Sequence, residues 1–148
     1  MISSSSVAIE APADLVWEVF TDVEHWPDWT ASVTELRGLD GPQLAVGTRF
    51  EIRQPRMPRL VWTVTDLEPG SSWTWVQRSP GSVTSARHEV APVAAGGTVV
   101  RQELAQRGVV GAVVGLLIRP TTRRYLAMEA QGLKARSEAL RRLRGSNA

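Results

Sequence analysis

The chain of 148 residues contains no cysteine. Disulfides, thiolate metal sites and cysteine nucleophiles are therefore excluded. There are two histidines, His25 and His88, far apart in sequence. A zinc site has little to build on, and no metal is expected. The longest apolar run, 109–118, is ten residues. A membrane span needs about 20. A basic segment followed by an apolar one is missing from the N-terminus, so no signal peptide is expected. Together with the lack of cysteine, this makes the cytoplasm the expected location. There is no phosphate-binding loop of the Walker type, no G-x-G-x-x-G and no serine in a nucleophile elbow. Nor is there a pair of inward carboxylates suited to glycoside chemistry. No cofactor is expected.

What is abundant is tryptophan. Six Trp stand against two Phe and one Tyr. An indole is large and apolar and carries one donor, so it suits both cores and ligand-cavity walls. Hydrophobic residues make up 43% and charged residues 22%, an ordinary balance that with this length points to one globular domain over 1–148. The formal charge is +2, but it is unevenly placed. Between residues 119 and 144 seven Arg and one Lys face only Glu129 and Glu138, a net of +6. This reads as a solvated helix face. Only Tyr125 interleaves with these charges, so a nucleic-acid stacking platform is not expected.

Periodicity orders the elements. Residues 2–10 read as a strand, with Val7 and Ile9 on one face. Pro12 suits a helix start, and Asp14 suits the first-turn dipole. Leu15, Val16, Val19 and Phe20 then follow at helical spacing. Asp22 is placed to cap a second short helix over 23–26, which Pro27 should stop. From 33 to 107 the chain reads as six strands: 33–39, 48–54, 60–67, 72–78, 83–90 and 98–106. Turn residues recur between them, the mark of an antiparallel meander. Gly108 ends the sheet and the rest reads as helix, kinked or restarted at Pro120. Leu126, Ala130, Leu133, Ser137 and Leu140 form its apolar stripe, with Tyr125, Glu129, Gly132 and Arg136 along the edge. The expected architecture is α+β: strand, two short helices, six strands and a long C-terminal helix lying on one face of a curved antiparallel sheet. Such a sheet leaves a hollow under the helix when the facing residues do not fill it.

Strand alternation assigns the inward face. It carries Phe50, Ile52, Trp62, Val64, Trp73, Trp75, Gln77, Thr84, Ala86, His88, Val100, Gln102 and Leu104. The opposite set, Glu51, Arg53, Ser85, Arg87, Glu89, Arg101 and Glu103, is polar and charged, which supports the parity. Of the inward set, Phe50, Ile52, Trp62, Trp73, Trp75, Gln77, Thr84, His88, Val100 and Gln102 are the candidate ligand-binding residues, joined by Tyr125 and Glu129 from the final helix. Apolar walls with a few polar groups suit a small molecule. His88 reads either as a satisfied core group or as an acid or base facing the cavity. Tyr125 and Glu129 are four apart and share a helix face. They reach towards His88 or a ligand, or Glu129 pairs with Arg124 or Arg136. His25 is expected at the surface. Trp17, Trp26 and Trp29 are expected to anchor the short helices to the sheet. The run 109–118 is open to three readings: a lid over the cavity, a dimer contact through Gly111-x-x-x-Gly115, or a membrane contact, the last not favoured. Monomer and homodimer both remain open.

The segment from Val7 through Pro12, Val16-Trp17 and Asp22 to Trp26-Pro27-Asp28-Trp29 resembles the opening of the START-like (SRPBCC, polyketide cyclase/dehydrase) superfamily. The stretch Ala86-Arg87-His88-Glu89-Val90 before the Gly96-Gly97-Thr98 turn is similar too. So is the ending, Arg124-Tyr125-Leu126 through Glu129-Ala130 to Gly132-Leu133-Lys134. The resemblance covers essentially the whole chain. It implies the helix-grip fold of the birch-pollen-allergen type, with an internal cavity. Members include lipid-transfer domains, hormone and allergen-type binders, coenzyme Q-binding proteins and aromatase/cyclases, so the fold does not fix the function. The expected function is binding of a small hydrophobic or aromatic molecule: a lipid, polyketide or quinone-like compound. The alternative is a polyketide cyclase, aromatase or dehydrase in the same cavity, with His88, Tyr125 or Glu129 moving protons.

Overall fold

The computed structural model describes residues 1–146. Seven strands form one antiparallel sheet: β1 (Ile2–Ile9), β2 (Glu35–Gly38), β3 (Arg49–Arg53), β4 (Leu60–Glu68), β5 (Ser72–Ser79), β6 (Ser82–Pro92) and β7 (Thr98–Arg107). Their spatial order is β1-β7-β6-β5-β4-β3-β2, so β2 to β7 form a continuous meander and β1 closes onto the last strand. A register shift between Val64 and Asp66 bulges β4 against β5, which bends the sheet. The alternation read from the sequence holds on every strand of the inward face. From Phe50 to Gln102 each assigned residue is buried, while Leu104 is half-buried.

Three helices and a 3₁₀ turn cover one face. Helix α1 (Ala13–Thr21) buries Leu15, Val16, Val19 and Phe20. The second short helix is a 3₁₀ helix, Val23–Asp28, and it contains Pro27 rather than stopping at it. The reason lies in the hydrogen bonds that bypass the proline: both Trp29 N–H and Thr30 N–H reach the Trp26 carbonyl. Asp22 does not cap this helix with its side chain. Its carboxylate lies 2.9 Å from Nδ1 of the exposed His25 instead.

The C-terminal region is two helices, α2 (Val109–Leu117) and α3 (Arg119–Ser146). The break falls just before Pro120, whose missing N–H and fixed φ suit the first turn of α3. At 28 residues, α3 is about 42 Å long. Its C-terminal half is fastened to the β1 end. Lys134 Nζ donates to the Ala8 carbonyl at 3.1 Å, and the Glu138 carboxylate accepts from the Glu10 N–H at 2.8 Å. Gly132 marks the closest approach to the Trp-Pro-Asp-Trp corner. A Cβ there would fall 1.9 Å from the Trp29 carbonyl oxygen, so only glycine lets α3 cross at this distance. Leu126, Ala130, Leu133 and Ser137 of the expected stripe are buried, and Leu140 is half-buried.

An aromatic cluster lies beneath α1. Phe20 stacks on Trp26 and meets Trp73 edge-on at 4.7 Å, and Trp17 meets Trp73 edge-on at 5.9 Å. Trp26 donates its indole N–H to the Phe20 carbonyl. These contacts anchor the short helices to the sheet.

Candidate functional site

Away from that cluster the N-terminal half of α3 stands off the sheet and leaves a cavity of about 290 Å³. Its floor is the inward face of β3 to β7, with Ile52, Leu60, Trp62, Trp75, Ala86 and Leu104 as the apolar part. Its roof is Thr122, Tyr125, Leu126 and Glu129 of α3. Trp26 and Val33 close one end. At the mouth stand Met57 and Pro58 from the β3–β4 loop and Val110, Val114 and Ile118 along α2. A second hollow, on the outer face among Ser4, Ser6, Arg87 and Glu89, is polar-walled and offers no comparable apolar enclosure.

Of the residues expected at the site, Ile52, Trp62, Trp75, Gln77, Thr84, His88, Gln102, Tyr125 and Glu129 come together around this cavity. Phe50, Trp73 and Val100 do not line it. They face inward but are packed under other elements. Trp73 is sealed beneath Trp17 and Phe20. Phe50 packs on Trp75 and approaches Gly38. Val100 sits between Val7 and Val90 in the sheet, at the end nearest α1 and the fastened half of α3.

His88 belongs to both regions. Its ring stacks on Trp73 with centroids 4.1 Å apart and planes 10° from parallel. Trp26, Phe20 and Trp75 meet it from other sides. Nδ1 lies 3.4 Å from the Trp73 carbonyl, a long contact. Burial among these rings pushes the imidazole down to about 3, so it is neutral at physiological pH. A group this hard to protonate is a poor general base near neutrality. Its neighbours across the strands are Trp73 on β5 and Gln102 on β7.

Glu129 is the opposite case. Its side chain is buried in the cavity roof with no hydrogen-bond or ion-pair partner among the described residues. The alternative in which Glu129 pairs with Arg124 or Arg136 is not realised, because both arginines turn outward and are exposed. Burial pushes the carboxyl up to about 8. At neutral pH it is mainly a carboxylic acid, with one O–H to donate into an apolar space. Tyr125, one turn earlier, is committed elsewhere: its hydroxyl donates to the Pro55 carbonyl and ties α3 to the β3–β4 loop. Gln77 likewise donates to the Arg78 carbonyl.

Trp26, Val33, Met57, Pro58 and Leu60 line the cavity without having been among the expected site residues, and Val110, Val114 and Ile118 come from the run for which a lid was one of three readings. The last three had a usable signal, since they recur every four residues in an apolar run. Met57 and Pro58 had none, because a loop's approach to a cavity is decided by the strands that carry it.

The profile of a family described as polyketide cyclase / dehydrase and lipid transport matches residues 2–138. The chain belongs to that family. Solved structures agree on the fold. A hypothetical protein from Helicobacter pylori superposes with a TM-score of 0.78 at 16% identity, over 93% of this chain and 88% of that one. A START superfamily protein from Mycobacterium smegmatis does so with a TM-score of 0.72 at 18% identity, over 94% and 98%. The di-domain aromatase/cyclase BexL of the BE-7585A biosynthetic pathway is similar with a TM-score of 0.69 at 20% identity. That match covers 90% of this chain and 46% of the larger protein. At such identities the likeness speaks for the helix-grip fold alone. No curated protein matches the chain in sequence. Family and fold together indicate ligand binding or polyketide cyclase-type activity.

Proposed function

We propose that the protein binds a small hydrophobic or aromatic molecule, of lipid, polyketide or quinone-like type, between the sheet and the N-terminal half of α3. The observation that carries this reading is the apolar cavity floored by Trp62 and Trp75, with one unpartnered carboxyl in its roof. An uncharged carboxyl inside an apolar wall orients a ligand that offers an acceptor, such as a carbonyl oxygen. At about 290 Å³ the space suits a molecule of modest size.

Intrinsic tryptophan fluorescence tests this directly. Titration with fatty acids, quinones and aromatic polyketides is expected to give saturable quenching for at least one class, and Trp62→Phe should weaken it. Flat traces for every class would overturn the reading.

One observation favours a second reading, an enzyme of cyclase or dehydrase type. A carboxyl held near 8 can give and take a proton close to neutral pH. In that case Glu129, not His88, is the acid–base group. Glu129→Gln would then abolish turnover of a bound polyketide while leaving binding within a few fold. Under pure binding there is no turnover to lose, and the substitution shows only in affinity and in the pH dependence of stability.

A further inference from the structure

Helix α2 presents three faces, and each has a different environment. Gly111 and Gly115 lie on the sheet. A Cβ at Gly111 would fall 2.9 Å from Ser82 Oγ, and one at Gly115 would fall 2.5 Å from Gln106 Oε1. Val110, Val114 and Ile118 turn to the cavity mouth. The third face is Val109, Val113, Leu116 and Leu117, which are 84%, 57%, 62% and 74% exposed. These four recur at i, i+4, i+7 and i+8, so they form one stripe. It is the largest concentration of exposed apolar side chains among the described residues, and it borders the cavity entrance.

The segments nearest the stripe carry an excess of positive charge. Three segments frame the mouth: residues 53–59, 77–82 and 104–128. None contains an acidic side chain. They hold eight arginines: Arg59 is paired with Glu35 and Glu51, while Arg53, Arg56, Arg78, Arg107, Arg119, Arg123 and Arg124 have no ion pair among the described residues. Arg107 and Arg119 bracket α2 directly. The chain as a whole carries only +2, so its acids are concentrated on the rest of the molecule.

We propose that the protein docks reversibly on anionic phospholipid surfaces. The α2 stripe lies in the interface, the arginine rim sits on the headgroups, and the cavity mouth faces the bilayer. An apolar stripe beside clustered arginines is the combination that interfacial helices use. Nine residues cannot span a bilayer, so α2 lies in its plane. A second copy of the chain is the poorer occupant. The Gly-x-x-x-Gly pattern is already used against the sheet, and pairing two such faces would bring the arginine rims together. Docking is independent of what the cavity holds, although a mouth against the bilayer gives an apolar ligand a path that avoids water.

The test is co-sedimentation of the whole chain with phosphatidylcholine vesicles, with and without phosphatidylglycerol, in low and raised salt. Binding is expected to the anionic vesicles and to weaken with salt. Leu116→Glu/Leu117→Glu is expected to reduce it by about tenfold or more, and Arg123→Gln/Arg124→Gln to reduce it by a comparable factor. All four positions lie outside the cavity lining, and thermal melts check that the variants fold. Absence of binding to anionic vesicles overturns the proposal, as does binding that survives the double leucine variant. A concentration-dependent dimer dissolved by that variant also overturns it, because a second copy then covers the stripe. The fluorescence titration run on the same variant separates the two readings. Ligand binding should be retained where vesicle binding is lost.

Discussion

Replacing Glu129 by glutamine keeps the shape of the side chain and removes its charge. In the folded protein the carboxyl titrates near 8, against an ordinary value of 4.5. Between these values the folded state holds a proton that the unfolded state has lost, so stability falls as pH rises. Below 4.5 both states are protonated and there is no penalty. Above 8 the penalty is complete. The interval from 4.5 to about 8, at ~1.4 kcal/mol per pH unit, corresponds to roughly 5 kcal/mol, an upper figure that water entering the cavity reduces. His88 works in the other direction. Its folded value of about 3 lies below the ordinary 6.5, so its contribution is lost as pH falls from 6.5 towards 3. From these two groups, stability should rise from pH 3 to about 4.5, change little to about 6.5 and then fall to about 8. Glu129→Gln should abolish the final fall. Urea denaturation followed by tryptophan fluorescence, repeated at each pH, measures both curves. If wild type and Glu129→Gln stay parallel from pH 5 to 9, Glu129 is not an isolated buried acid and the account of the cavity's polarity is wrong.

Other outcomes follow from the packing. Gly132→Ala places a methyl group against the Trp29 carbonyl, which is backbone and cannot swing aside, and should cost ~1–3 kcal/mol in chemical denaturation. Trp73→Ala empties the site beneath Trp17 and Phe20 and should cost ~3–5 kcal/mol, lowering the melting temperature by about 10 °C. Trp62→Ala, on the cavity wall, should lower ligand affinity more than stability, as a paired titration and melt would reveal.

Part of this molecule was legible in the chain itself. Period-two alternation across five strands gave the inward and outward faces, because successive side chains of a strand must point to opposite sides. Turn residues gave the meander, and the 126–140 stripe gave the face of α3. Alternation, however, says which face a residue is on and not what covers that part of the face. Phe50, Trp73 and Val100 obey the parity and still lie outside the cavity, because α1, the β2 corner and the fastened half of α3 close over them. The fate of Glu129 was equally out of reach. Whether it meets Arg124, Arg136 or empty space depends on how α3 is rotated on the sheet, and that rotation is set at Gly132 and Lys134, several residues away. Likewise the run 109–118 showed that an apolar helix was present, but its three environments exist only because Gly111 and Gly115 let it settle against Ser82 and Gln106. Local spacing determined the elements and their faces. Tertiary contacts between residues far apart in sequence decided which buried side chains fill the core, which border a cavity and which apolar ones are left facing outward.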